Sequence, residues 1–204
     1  MNFAEEYFFE LKKNLEKVDK KKIEEIANVL INAWKNDKQV FIVGNGGSAA
    51  TSSHMACDLG KGTLKKIYDP REKRFRVISL TDNTPLLTAL SNDVGYENVF
   101  AQQLYNQIQV GDVLIAITGS GNSENVIRAI KVAQEKKAII IAFLGANGGK
   151  VREIVDYYLL YEEPHYGRIE DAHSIFSHLI CCWIREKINV LKSEGKFFKE
   201  GVEK

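Results

Sequence analysis

The sequence predicts an α/β fold, a parallel five-stranded sheet flanked by helices and preceded by an N-terminal helical hairpin. Three observations predict it. Short continuous apolar runs recur, as in QVFIV (39–43), VLIAIT (113–118) and AIIIAFLG (138–145), and runs of this length mark strands buried on both faces. Segments of helical period separate them, and strands alternating with helices build parallel sheets. Two of the runs end in Gly/Ser-rich turns, GNGGS and GSGNS, and ligands in such sheets bind beyond the C-terminal ends of the strands.

The elements follow in order. Residues 2–17 and 20–36 read as amphipathic helices, the second with Ile23, Ile26, Ala27, Leu30, Ala33 and Trp34 on one stripe. These two are surplus to the sheet and suit self-association. The run 39–43 is the first strand, and a helix starts near Ala49 behind the glycines. RFRVISL (74–80) is the second strand, followed by helical segments through Leu86–Leu90 and Phe100–Ile108. The run 113–118 is the third strand, and Glu124–Lys136 its helix. The run 138–145 is the fourth strand, GGKVREIV a short helix, YYLLY (157–161) the fifth strand, and a long helix runs from about Arg168 past Val190.

Composition bounds what the chain does. Its 204 residues are 45% hydrophobic and 27% charged, an ordinary globular balance that fits one domain over 1–204 with 1–37 as a helical extension. The net charge of +1 argues against a nucleic-acid partner, and Lys20–Lys22 reads as a solvated helix face. No apolar leader opens the sequence and no run is long enough to span a membrane. Three cysteines, Cys57, Cys181 and Cys182, sit in apolar helical contexts and are expected to be reduced core residues of a cytoplasmic protein.

The chemistry gathers at the two turns. GNGGSA also fits a dinucleotide fingerprint, but that needs an acid at the end of the second strand, and Asp82 falls too late. The second turn, with Thr118, Ser120 and Ser123 ahead of a helix, offers hydroxyls and free amides to a phosphate. Such serines also cap helices, yet TGSGNS is denser than a cap requires. No GK[ST] follows, which speaks against a nucleoside triphosphatase. His54 and Asp58 lie four apart, on one helix face. An isolated pair of this kind is usually a packed imidazole and a cap, whereas behind a phosphate loop it suggests a metal or proton transfer.

GNGGS, the helix carrying His54, ALSNDVGYENVF, ITGSGNSENVIRAI, GANGGK and RIEDAHSIFSH together resemble the sugar isomerase (SIS) superfamily, and within it the phosphoheptose isomerases. The resemblance runs over almost the whole chain. It implies a flavodoxin-like sheet in a homotetramer with active sites between subunits. It implies aldose–ketose isomerisation of sedoheptulose 7-phosphate to D-glycero-D-manno-heptose 7-phosphate through an enediol. By motif, Asn45, Gly46, Gly47 and Ser48 would line the sugar phosphate pocket, and Asn92 and Asp93 would contact sugar hydroxyls. Thr118, Gly119, Ser120 and Ser123 would hold the phosphate. His54, Asp58, Glu170 and His178 fall on positions for one zinc ion per subunit or for proton transfer, with Glu170 also near substrate. Asp58 as base and His178 as acid suit an enediol mechanism.

Two positions depart from the family pattern: Asp58 stands where Glu is usual, and Glu170 where Gln is usual. The loop EEPHYGRIED is also short. Eight residues between Glu170 and His178 correspond to about 12 Å of helix and about 80° of turn, so spacing alone does not bring both to one ion. Asp171 shares a stripe with His178 more closely, and His165 stands on the loop, a candidate to reach a neighbouring subunit. The departures leave room for another ketose phosphate as substrate. The resemblance also admits a non-catalytic scaffold that binds sugar phosphate or a replication-initiator-type partner, though a scaffold needs no carboxylate with two histidines behind a phosphate loop.

Overall fold

The computed structural model describes residues 2–193. Helices α1 (Phe3–Glu16) and α2 (Lys20–Lys35) precede strand β1 (Gln39–Gly44) and helix α3 (Gly47–Cys57). A π-helical turn over Asp58–Gly62 continues α3. Then come β2 (Arg76–Ser79), α4 (Thr84–Val94), a 3₁₀ turn (Tyr96–Asn98), α5 (Val99–Gln107), β3 (Val113–Thr118) and α6 (Glu124–Glu135). The chain continues through β4 (Ile139–Gly145), a 3₁₀ turn (Lys150–Glu153), β5 (Tyr157–Tyr161) and α7 (Tyr166–Ser193).

The five strands are parallel in the order β2-β1-β3-β4-β5. That is the doubly wound order whose switch point lies between β1 and β3, the two strands that carry the Gly/Ser-rich turns. Alternate residues feed two cores. Val40, Ile42, Ile115, Ile117 and Phe143 face α2, α3 and α7, while Phe41, Val43, Leu114, Ala116 and Ala142 face α5 and α6. β3 is buried along its whole length, as its unbroken apolar run requires. β2, at the sheet edge, is mostly solvent-accessible and shorter than the predicted 74–80.

The N-terminal pair divides. Asp19 caps α2, whose apolar stripe is buried from Ile23 to Trp34. Each fully buried aliphatic side chain there contributes about 1.5–3 kcal/mol, so α2 belongs to the core rather than being surplus to it. α1 opens with an Asn2/Glu5 capping box, but Phe3, Phe8 and Phe9 stay exposed. All three cysteines are free thiols, but the expectation that they are core residues holds for Cys181 alone. Cys57 and Cys182 are exposed, because they lie on the outer faces of their helices. Burial pushes the Cys181 thiol up to about 12, with the Asp58 charge adding to it. Among the described residues no helix is long and apolar enough to cross a membrane.

Candidate active site

The first turn of α7 lies across the ends of the central strands, and glycines make room for it. A Cβ on Gly145 would fall 2.5 Å from Ile169, and one on Gly47 would fall 2.6 Å from the Glu170 carboxylate carbon. The helix therefore seats Glu170 over the start of α3. That start is uncapped by any side chain, with Gly46 at the N-cap in a left-handed conformation (φ 56°), so the Glu170 carboxylate sits where helix amides favour an anion.

Further along α7, His178 reaches the other end of α3. Its Nε2 lies 3.1 Å from Nε2 of His54. Asp58 Oδ2 is 3.3 Å from the His54 nitrogen and 3.6 Å from the His178 nitrogen. Both imidazoles are more than half exposed, at 57% and 55%, and Asp58 is mostly covered at 23%. The three donor atoms form a near-equilateral triangle. A tetrahedral zinc with nitrogen and oxygen ligands at about 2.0–2.2 Å has donor–donor edges of about 3.3–3.6 Å. The donor set and its spacing thus fit a small divalent cation with three protein ligands and an open position. Asp58 opens the π-helical turn after α3, a distortion that recurs at functional sites.

Glu170, expected with this group, is not brought to it. Among the described residues the potential metal ligands that converge are His54, Asp58 and His178. The helical separation of Glu170 and His178 is the reason, and it leaves Glu170 with Gly47 instead. Asp171 is elsewhere too, accepting from Tyr7 at 2.6 Å. His165 stacks edge-on against the Tyr7 ring at 5.5 Å.

The two loops are tied by an amide pair. Asn45 and Asn125 exchange two side-chain hydrogen bonds, each of 2.9 Å, and Tyr96 donates to Asn45 Oδ1 at 2.8 Å. In the second loop Thr118 Oγ1 accepts from the Gly121 amide and Ser120 Oγ from the Asn122 amide, both at 3.2 Å. Ser123 is the N-cap of α6 yet makes no side-chain capping bond. Asn125 instead takes the Val126 amide at 2.9 Å. The Ser123 hydroxyl is thereby not engaged in capping the helix. Gly119 is buried beneath Tyr166 and Ile169, and Ser48 is buried in the first turn of α3. Asn92 and Asp93 are exposed at the end of α4 and bond to each other at 2.9 Å.

Asn125 and Tyr96 were missed by the sequence reading. Both stand inside motifs that it singled out, GSGNSENVI and SNDVGYENVF, but only the fold shows that they meet Asn45.

Comparison with known proteins adds to this geometry. The family model described as SIS domain matches residues 6–145. The chain is 41% identical over 166 residues to the phosphoheptose isomerase of Aquifex aeolicus, covering 81% of this chain and 84% of that protein. It is 36% identical to the phosphoheptose isomerase of Aneurinibacillus thermoaerophilus, over 81% of each. Among solved structures, the phosphoheptose isomerase from Neisseria gonorrhoeae aligns with a TM-score of 0.80 at 32% identity, over 90% of this chain and 95% of that one.

Proposed function

Since the chain belongs to the phosphoheptose isomerase family of SIS-domain proteins, we propose that it interconverts sedoheptulose 7-phosphate and D-glycero-D-manno-heptose 7-phosphate through an enediol. The observation that carries this reading is Asp58 held between two imidazoles, at 3.3 and 3.6 Å, at the end of the helix that starts from the switch point of a sheet whose two loops suit a sugar phosphate.

The roles follow from the groups present. Thr118, Gly119, Ser120 and Ser123 hold the phosphate, and Asn45, Gly46, Gly47 and Ser48 line the adjoining pocket. Asn92 and Asp93 orient sugar hydroxyls. Anchoring the far phosphate fixes the reacting carbons in place and removes much of the entropic cost of reaction. Asp58 Oδ2 faces both histidines, which leaves Oδ1 to take the proton from carbon. His178 exchanges a proton with the oxygens, the roles reversing with direction. His54, Asp58 and His178 would hold one zinc ion per subunit, which when bound polarises the carbonyl as a Lewis acid. The same His178 nitrogen cannot hold a metal and a proton together, so the metal-loaded and metal-free proteins differ in what supplies the acid.

The wider setting is read in the same way. The chain is one SIS domain over 1–204 with residues 1–37 as its extension. It works in the cytoplasm as a homotetramer with sites between subunits, and exposed Phe3, Phe8 and Phe9 of α1 suit that assembly.

The test is an NMR time course of the purified protein with sedoheptulose 7-phosphate in D2O, with and without zinc. Formation of an aldoheptose 7-phosphate labelled at C2, abolished in Asp58→Asn, supports the reading. An intact fold that turns over no substrate under either condition overturns it.

A further inference from the structure

Away from the proposed active site, a cavity of about 200 Å³ opens beside edge strand β5, between the start of α2 and the Lys150–Glu153 turn. It has room for roughly six waters. Lys17, Lys22 and Arg152 line it together with Tyr158. The Lys22 ammonium lies 3.8 Å from the centre of the Tyr158 ring, and the Arg152 guanidinium carbon 5.5 Å from it. Two cations therefore share one phenol.

Their counter-charges are missing. Among the described residues neither Lys22 nor Arg152 has a carboxylate within ion-pair distance. Of the two acids that line the cavity, Asp19 is committed to capping α2 through the Lys21 amide at 2.9 Å. Glu162 is exposed. Lys17 is held by the Asn14 side chain at 2.8 Å. Like charges gathered around one ring repel each other, and a bound anion would relieve that repulsion. A guanidinium fork beside an ammonium is also the pairing that suits phosphate oxygens.

We infer that this cavity is a second anion site, distinct from the Ser120 loop, which takes a phosphate-bearing small molecule between Lys22, Arg152 and the Tyr158 hydroxyl. The lysine run 20–22, read from sequence as a solvated face, thus has one member turned to a ligand. A further consequence concerns Tyr158. Lys22 first, then Arg152, hold its phenol below the ordinary tyrosine value. An anion that engages both cations returns it toward that value.

The test uses the full chain carrying Ser120→Ala and Ser123→Ala, which removes the hydroxyls of the other phosphate loop. Inorganic pyrophosphate is titrated calorimetrically at low salt, with tyrosinate absorbance followed against pH. Binding is expected to persist in this background and to weaken at least about tenfold on adding Lys22→Gln, with Lys22→Arg recovering most of it. Arg152→Gln is the second variant. Its turn also braces the other loop, because the Val151 amide donates to Gly121 O at 3.0 Å, so Lys22 is the cleaner arm. One tyrosine is expected to titrate higher with pyrophosphate present, and Tyr158→Phe should remove that change. No binding in the Ser120/Ser123 background, or binding that ignores Lys22 and Arg152 alike, overturns the inference.

Discussion

The Nε2 atoms of His54 and His178 face each other across 3.1 Å with their rings at 73°. Two such nitrogens share one proton or one cation between them, and cannot each present a proton to the other. Zinc is therefore expected to bind the folded chain and raise its melting temperature, since a ligand that binds only the native state stabilises it by mass action. His54→Ala should remove most of that shift. Calorimetric melts with and without zinc decide the matter, and an equal shift in wild type and variant would refute it.

Asp58 lies beside both nitrogens, and the family usually carries the longer Glu there. Asp58→Asn keeps the shape and removes the base. A loss of about 10²–10⁴ in kcat is expected for a general base, with a melt close to wild type. Asp58→Glu should retain turnover, because it restores the reach of the usual side chain. Single-turnover rates on the three proteins give the comparison, and a fully active Asn variant would move the base elsewhere.

Glu170 places a carboxylate at the uncapped start of α3, beside Gly47. Glu170→Gln should act in two opposite directions. The helix loses a favourable charge at its N-terminus, costing about 0.3–1 kcal/mol of stability. The sugar phosphate meets one negative charge fewer, so KM should fall by about 1.7-fold to fivefold, corresponding to the same size of electrostatic term. Urea melts and initial rates measured side by side check both signs, and a raised KM would show that the carboxylate helps to hold the sugar.

Much of this was legible in the sequence, for definable reasons. The strands of the sheet centre announce themselves because burial on both faces demands unbroken apolar runs, as in Val113–Thr118. The partnership of His54 with Asp58 follows from helical spacing together with the phosphate-type loop ahead of it. His178 needed the family resemblance, because α3 and α7 are far apart in the chain and only packing makes them neighbours. Glu170 lies apart from the His54, Asp58 and His178 group for the same reason: motif places it near the site, while the helix turn decides which part of the site it meets. The Asn45–Asn125–Tyr96 contact was illegible, since polar pairs between loops leave no periodic trace. The exposure of Cys57 and Cys182 was also hidden, because apolar surroundings in sequence do not tell which face a small residue occupies.

His173 lies on α7 among Phe143 and Phe176, 1% exposed, and neither ring nitrogen makes a hydrogen bond of good geometry among the described residues, the Leu144 backbone being only a weak neighbour. Burial pushes its pKa down to about 4, against a smaller opposing pull from the Leu144 backbone. The sign follows directly. Above the ordinary histidine value near 6.5, neither folded nor unfolded chain is protonated there, and the full stability is present. As pH falls from about 6.5 to about 4, the unfolded chain takes up a proton that the folded chain refuses, and stability drops by roughly 3 kcal/mol. His173→Leu should flatten the pH dependence of unfolding free energy across that window. Urea titrations at pH 7 and pH 5 read it, and an unchanged slope in the variant would place the acid sensitivity elsewhere.

Glu163 and Arg168 form the other buried polar contact near the start of α7. Their side chains are 3% and 15% exposed and meet at 2.7 Å. Burial resists ionisation of Glu163, but the Arg168 guanidinium, the His165 amide and Asn14 outweigh it and hold the carboxyl below the usual range. Asn14 donates to it at 2.7 Å, so the pair also ties α1 to the loop that leads into α7. Removing one partner leaves a buried charge without its counter-ion. Arg168→Met is expected to destabilise by about 3–5 kcal/mol. Glu163→Gln alone should cost less, because the amide still accepts from its neighbours. With both changes the loss should be smaller than the sum of the two, since the double variant holds no unpaired charge. The Glu163 contribution is present above the unfolded carboxylate value and is lost as pH falls through the lower folded one, so the cycle should close toward additivity in acid. Urea unfolding of the four proteins at neutral pH measures the coupling, and additive losses at neutral pH would show that the pair contributes no more than its separate contacts.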